Sequence, residues 1–145
     1  GSPECRTIFD AYYQQFPPLE GDDLLHALGE RSVYARAWSV FLEDYPLVLT
    51  PFMLSPFFAP GRDTQGQAGV AEVLGRAHWS FIMNFIGLPA GNLPTFIADL
   101  PGGPTPIGVQ IAGRRWREDL IVDAMRAIED TIPPACDQLW DRMAR

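Results

Sequence analysis

Proline placement constrains this chain more than any other feature. Fourteen prolines fall among its 145 residues. Each removes a backbone donor and fixes φ, so helix interiors and fully paired strands must lie between them. Pro17-Pro18 and Pro133-Pro134 are firm stops. Pro46, Pro51, Pro56 and Pro60 bound and interrupt the most apolar region, residues 46–60. No stretch therefore approaches the ~18 apolar residues of a membrane span.

Between the breaks the apolar period is mostly helical. Ile8, Phe9, Tyr12, Tyr13 and Phe16 recur at helical spacing and place a helix over residues 3–15. Asp22 or Asp23 can open a short helix through Leu24, Leu25 and Leu28 that stops near Gly29. Ser32 is suited to cap a longer one, whose Tyr34, Trp38, Phe41 and Tyr45 make an amphipathic face. Leu47-Val48-Leu49-Thr50, bounded by prolines, reads as a buried strand. After a loop rich in Pro, Gly and Phe, helical spacing returns over residues 68–85 and stops at Gly87 and Pro89. Residues 95–98 and 107–111 read as strands joined by the turn Pro101-Gly102-Gly103-Pro104. Glu118 and Asp119 open a helix whose positive N-terminal end suits them, and a last short helix carries Leu139 and Trp140. This alternation predicts an α/β or α+β layered domain.

Composition narrows the chemistry. With 47% hydrophobic and 20% charged residues the chain is globular. Its length allows burial of roughly two-thirds of the unfolded surface. A net charge of −7 argues against nucleic-acid binding, which needs excess cation to neutralise phosphate. All 11 basic residues are arginine, so no lysine base, Schiff base or phosphate-loop lysine can come from this chain. The Arg114, Arg115 and Arg117 cluster around Trp116 accordingly reads as a solvent-facing loop with a packed Trp stem. Cys5 and Cys136 are too few for a disulfide framework and read as reduced and buried. Asp22 and His26 are one helical turn apart, but no third ligand stands nearby, so no metal is expected. None of the serines, Ser2, Ser32, Ser39, Ser55 and Ser80, lies in a Gly-x-Ser-x-Gly elbow. Phe52, Phe57 and Phe58 read either as core packing or as the wall of a substrate pocket. From the residues alone, this is a globular α/β chain with no self-contained catalytic constellation.

Three ordered blocks go further. The segment Asn84-Phe85-Ile86-Gly87-Leu88-Pro89-Ala90 resembles the Asn-x-x-Gly-x-Pro-Ala segment of the amidase signature family. Pro106-Ile107-Gly108-Val109-Gln110-Ile111-Ala112-Gly113 is similar to that family's Pro-x-Gly-x-Gln-x-x-Gly strand. Tyr45-Pro46-Leu47-Val48-Leu49-Thr50-Pro51 resembles its Tyr-Asp-x-x-x-x-Pro strand, with Pro46 where the family usually carries an acid. Together they span residues 33–130. The resemblance implies the C-terminal part of an α/β/α layered fold, a mixed sheet with flanking helices. It also implies hydrolysis of carboxamides to carboxylate plus ammonia or amine, by a Ser–Ser–Lys triad that activates a serine nucleophile.

That triad has no counterpart here, since the chain carries no lysine and no Gly-Gly-Ser-Ser run. The expectation is a C-terminal fragment of an amidase, inactive alone, with no catalytic residue, no cofactor and no metal. Residues 1–2 read as a scar of tag removal, and residues 3–145 as a single domain. By resemblance Asn84, Phe85, Ile86 and Gly87 border the substrate channel. Expected partners are a small amide substrate and, through an exposed apolar patch, a second copy; neither nucleic acid nor membrane is expected. A cytoplasmic location is expected, since no signal peptide opens the chain. The alternative is a free-standing, non-catalytic binding or assembly module of the same fold.

Overall fold

The computed structural model of the protein describes residues 1–56 and 59–144. Helix α1, Pro3–Gln15, starts with Ser2 accepting from the Cys5 amide at 3.3 Å and with Pro3 in the first turn. It ends two residues before Pro17, with Phe16 as its C-cap. Helix α2, Gly21–Asp44, is continuous. Gly29 does not stop it, and the Ser32 hydroxyl donates back to the Leu28 carbonyl at 3.3 Å instead of capping a new helix. A lone glycine costs about 1 kcal/mol in a helix, less than a break in a long run of hydrogen bonds.

Strand β1, Leu47–Pro51, is followed by a 3₁₀ turn at Arg62–Thr64 and by helices α3, Gly66–Arg76, and α4, His78–Ile86. The single helix expected over residues 68–85 is thus two. They part at Ala77, whose amide is shared between the Val73 and Leu74 carbonyls. The two later strands are longer than the apolar runs suggest: β2 is Ala90–Leu100 and β3 is Gly103–Gly113. Helices α5, Glu118–Glu129, and α6, Ala135–Met143, complete the order.

The sheet runs β1-β3-β2, antiparallel throughout its described strands. Pro51 is the last residue of β1, and three further prolines sit inside β2 and β3, where register explains how. The Gly113 amide donates to Pro89 on the β2 side, so even-numbered β3 nitrogens face the other way. Pro104 and Pro106 therefore point toward β1, which has already ended opposite Val109. Pro94 lies opposite Gly108 in a non-hydrogen-bonded pair, with its nitrogen on the outer edge of β2. No ladder donor is lost.

Alternation along β3 then covers both faces. Ala112 joins Leu42 of α2 and Met83 and Ile86 of α4 in a buried cluster, against which Trp38, Val48, Trp79 and Ile82 pack. On the other face Gly91 lies beneath Met125 and Ile121 of α5, and Gly113 beneath Ile121. Helices α5 and α6 contact β2 and β3 there. This is the α/β layering that the sequence predicts. Strand β1 is an edge: Thr50 is buried, while Leu49 is 65% exposed.

Two further expectations are corrected. Cys5 and Cys136 are unbridged but exposed, not buried; each lies on a short terminal helix with little above it. Trp116 is 88% exposed with φ +66°, so its ring is not packed.

Candidate functional site

Helix α4 has two faces. Met83 and Ile86 point into the core, whereas Phe81 and Phe85, one turn apart, are half-exposed on the opposite side. The helix ends at Gly87, whose φ of +70° is the left-handed conformation glycine adopts without strain. The amides of Gly87 and Leu88 both return to the Met83 carbonyl.

The carbonyls that this helix end leaves open are met by two arginines. Arg31 of α2 donates through Nε to Phe85 O. Arg115 donates through Nε to Gly87 O at 2.8 Å and through Nη2 to Ile86 O. Cations at a helix C-terminus also complement its dipole. Residues 85–87 are thereby tied to α2 and to the loop after β3.

Asn84 and Phe85 open onto a cavity of about 760 Å³ between α1, α3 and α4. Tyr12, Gln15 and Phe16 form its α1 side, and Ala71, Leu74 and Gly75 its α3 side. The α4 side adds His78, Phe81 and Ile82. The Tyr12 and Phe16 rings stand 5.5 Å apart, tilted by 51°. Asn84 donates to Ser80 O at 2.8 Å, and Gln15 accepts from Gln67 at 3.2 Å. Ile86 turns away from this space and is 2% exposed in the core. Gly87 borders a different hollow, of about 440 Å³, with Leu88, Pro89, Arg115, Trp116 and Glu118. The structure therefore brings Asn84 and Phe85 into one cavity and places Ile86 and Gly87 outside it.

Glu72 of α3 pairs with two arginines outside the cavity lining. Its carboxylate meets Arg62 Nε at 2.6 Å and Arg76 Nη2 at 2.5 Å. The Arg62 hydrogen bond holds the Glu72 carboxyl below its ordinary pKa, against the opposing effect of burial. The loop after β1 is anchored to the same helix, with the Leu54 amide donating to Arg76 O at 2.8 Å. Phe52 lines a separate hollow of about 260 Å³ beside the uncovered half of β3. Phe57 and Phe58 lie outside the described residues.

Sequence reasoning missed Tyr12, Gln15, Phe16 and His78. Their helical spacing was visible, but nothing in it shows that α1 folds back onto α3. The cavity can enclose an apolar group and orient it with a few polar side chains. Its described residues offer no nucleophile paired with a base. Among the described residues no group of three or more His, Cys, Asp or Glu is placed to hold a metal ion. No helix there is long and apolar enough to cross a membrane.

Comparison with known proteins bears on this geometry. The family described as Amidase matches residues 14–122. The chain is 38% identical over 120 residues to an indoleacetamide hydrolase of Bradyrhizobium diazoefficiens, covering 82% of this chain and 22% of that protein. It is 36% identical over 120 residues to the indoleacetamide hydrolase of Bradyrhizobium japonicum, covering 82% and 25%. It is 28% identical over 134 residues to a glutamyl-tRNA(Gln) amidotransferase subunit of Azorhizobium caulinodans, covering 91% and 24%. The chain thus spans about a quarter of the length of the curated relatives it matches. No solved structure matches it.

Proposed function

Because the chain belongs to the amidase family, we propose that it is the C-terminal region of a longer amide hydrolase and shapes the pocket in which a small carboxamide lies. The reaction of the whole enzyme converts an amide and water to a carboxylate and ammonia or an amine. A chain without lysine supplies none of the lysine-assisted serine chemistry, so nucleophile and base belong to the remainder of the protein. The observation that carries the reading is the segment 84–87. Asn84 and Phe85 face an open cavity, while Arg31 and Arg115 hold the backbone behind them. Such rigid support is what a substrate wall requires.

Relatives named for indoleacetamide favour a small-molecule amide, and the acidic balance of this chain is a poor match for a tRNA-bound substrate. Residues 3–145 act as one domain in this reading. The exposed, unbridged cysteines are compatible with the cytoplasm. Exposed apolar residues on α1 and α2 support contact with the catalytic portion or, in its absence, with a second copy.

The test is to read the gene upstream of the codon for Pro3 and assay the product of the full reading frame against phenylacetamide. A frame that continues into a lysine and a Gly-Gly-Ser-Ser loop, with hydrolysis of the amide, supports the reading. A start codon at this boundary, with no hydrolysis, replaces it with the non-catalytic binding module.

A further inference from the structure

We propose that the cavity between α1, α3 and α4 is a binding site for a flat aromatic ring carrying a neutral polar group, and that Gly75 keeps its α3 wall open. This deepens the amide-hydrolase reading and rests on it only for the origin of the ligand.

Two pairs of aromatic rings define the space. Tyr12 and Phe16 lie one turn apart on α1, and Phe81 and Phe85 lie one turn apart on α4. Ring faces and edges on both sides favour a guest that stacks over one that merely fills volume. At about 760 Å³ the cavity falls within the size range of ligand pockets, which are mostly apolar with a few placed polar groups. The polar side chains here are two amides, one imidazole and the Tyr12 phenol. Gln15 uses its carbonyl oxygen on Gln67, which leaves its NH₂ to donate. Asn84 uses its NH₂ on Ser80, which leaves its carbonyl oxygen to accept. A donor and an acceptor at one cavity suit a carboxamide or a ring N–H, and among the described residues no arginine or lysine lines the space to hold an anion.

One residue of the α3 wall has no side chain. Gly75 is the next-to-last residue of α3, exposed in its final turn, at a helical position that a residue with a side chain can also occupy. A Cβ built there would meet nothing within 4 Å. Neither backbone geometry nor crowding requires this glycine, and its effect is to leave the cavity unfilled.

The experiment measures binding to the 145-residue chain by calorimetry and ligand-observed NMR, with phenylacetamide, cyclohexylacetamide and acetamide as probes. Phenylacetamide is expected to bind at least fivefold more tightly than cyclohexylacetamide, and acetamide not to bind. Gly75→Leu should weaken phenylacetamide at least tenfold while melting no lower than the parent chain, because leucine is the better helix former. Phe81→Ala should weaken it similarly. Equal binding of all three probes, absence of phenylacetamide binding, or full binding by Gly75→Leu overturns the proposal. Catalysis plays no part in this readout. Ring binding without hydrolysis by the longer protein would leave the cavity standing and remove the amidase reading, and the reverse result would do the opposite.

Discussion

Gln110 and Thr50 face each other across the β3–β1 pair, and the Gln110 amide nitrogen donates to the Thr50 hydroxyl over 3.1 Å. Both side chains are buried, Gln110 at 2% exposure. The same nitrogen reaches the Trp79 carbonyl on α4 at 3.5 Å. One amide thus joins edge strand, central strand and the helix that carries Phe81 and Phe85.

Removing that amide should destabilise the chain through what it leaves behind. Gln110→Leu strands a buried hydroxyl and is expected to cost about 1–3 kcal/mol in urea unfolding. Adding Thr50→Val should recover part of that loss, since two apolar partners leave nothing unsatisfied. Additive losses in the double variant would show that the two side chains are not coupled.

Gly108 stands where β2 bulges between Pro94 and Phe96, opposite the strand it pairs with. A Cβ there would run into the Leu93 carbonyl and come within 3.0 Å of Pro94 Cα. The obstacle is backbone and cannot rotate away. Gly108→Ala is expected to cost about 1–3 kcal/mol as overpacking does, read from the shift in urea midpoint at unchanged slope. An unchanged midpoint would mean that the two strands do not approach so closely.

Gly87→Ala asks a residue with a side chain to adopt φ +70° beside the Arg115 guanidinium, 3.2 Å from the new carbon. The left-handed conformation alone costs about 1–2 kcal/mol. Because Arg115 also holds Ile86 O and Gly87 O, amide exchange in residues 83–88 should quicken as well. Unaltered exchange there would separate the arginine bonds from the geometry of Gly87.

The ion pairs of Glu72 set an acid limit. A carboxyl held below its ordinary value stabilises the fold above that value, and the contribution is lost as pH falls through the lowered folded pKa. Comparing parent and Glu72→Gln by denaturant midpoint from pH 7 to pH 3, the gap should be widest near neutrality. It should begin to close only once pH drops below the usual glutamate range. A gap independent of pH would show that Glu72 acts by packing.

The accessible surface is 9968 Å², against about 7,400 Å² for a compact monomer of this size. Phe9, Tyr13, Leu25, Val33 and Tyr34 are among the large apolar side chains that α1 and α2 expose. Purified chain is expected to bind hydrophobic dye and to sediment above monomer mass at micromolar concentration. A monodisperse monomer with no dye signal would refute this.

Local chemistry made much of this readable in advance. Glu118 and Asp119 marked the start of α5, and proline and glycine marked the ends of α1, α4 and the β2–β3 turn. The three motif blocks led to the amidase family and singled out Asn84, Phe85, Ile86 and Gly87, of which the fold brings the first two into one cavity and the other two elsewhere.

What the sequence determined by itself was whatever depends on neighbours along the chain: helix faces, breaks, turns, and the absence of a lysine. What only the tertiary structure decided was whatever depends on distant partners. Gly29 is carried through α2 because the flanking turns sustain the helix. Pro104 and Pro106 are tolerated in β3 because β1 has ended before reaching them. Ile86 belongs to the core while Phe85, its neighbour, faces the cavity, because the two point about 100° apart around α4 and only one direction meets the sheet. A one-dimensional pattern fixes which residues share a face, but the packing of other elements decides what each face meets.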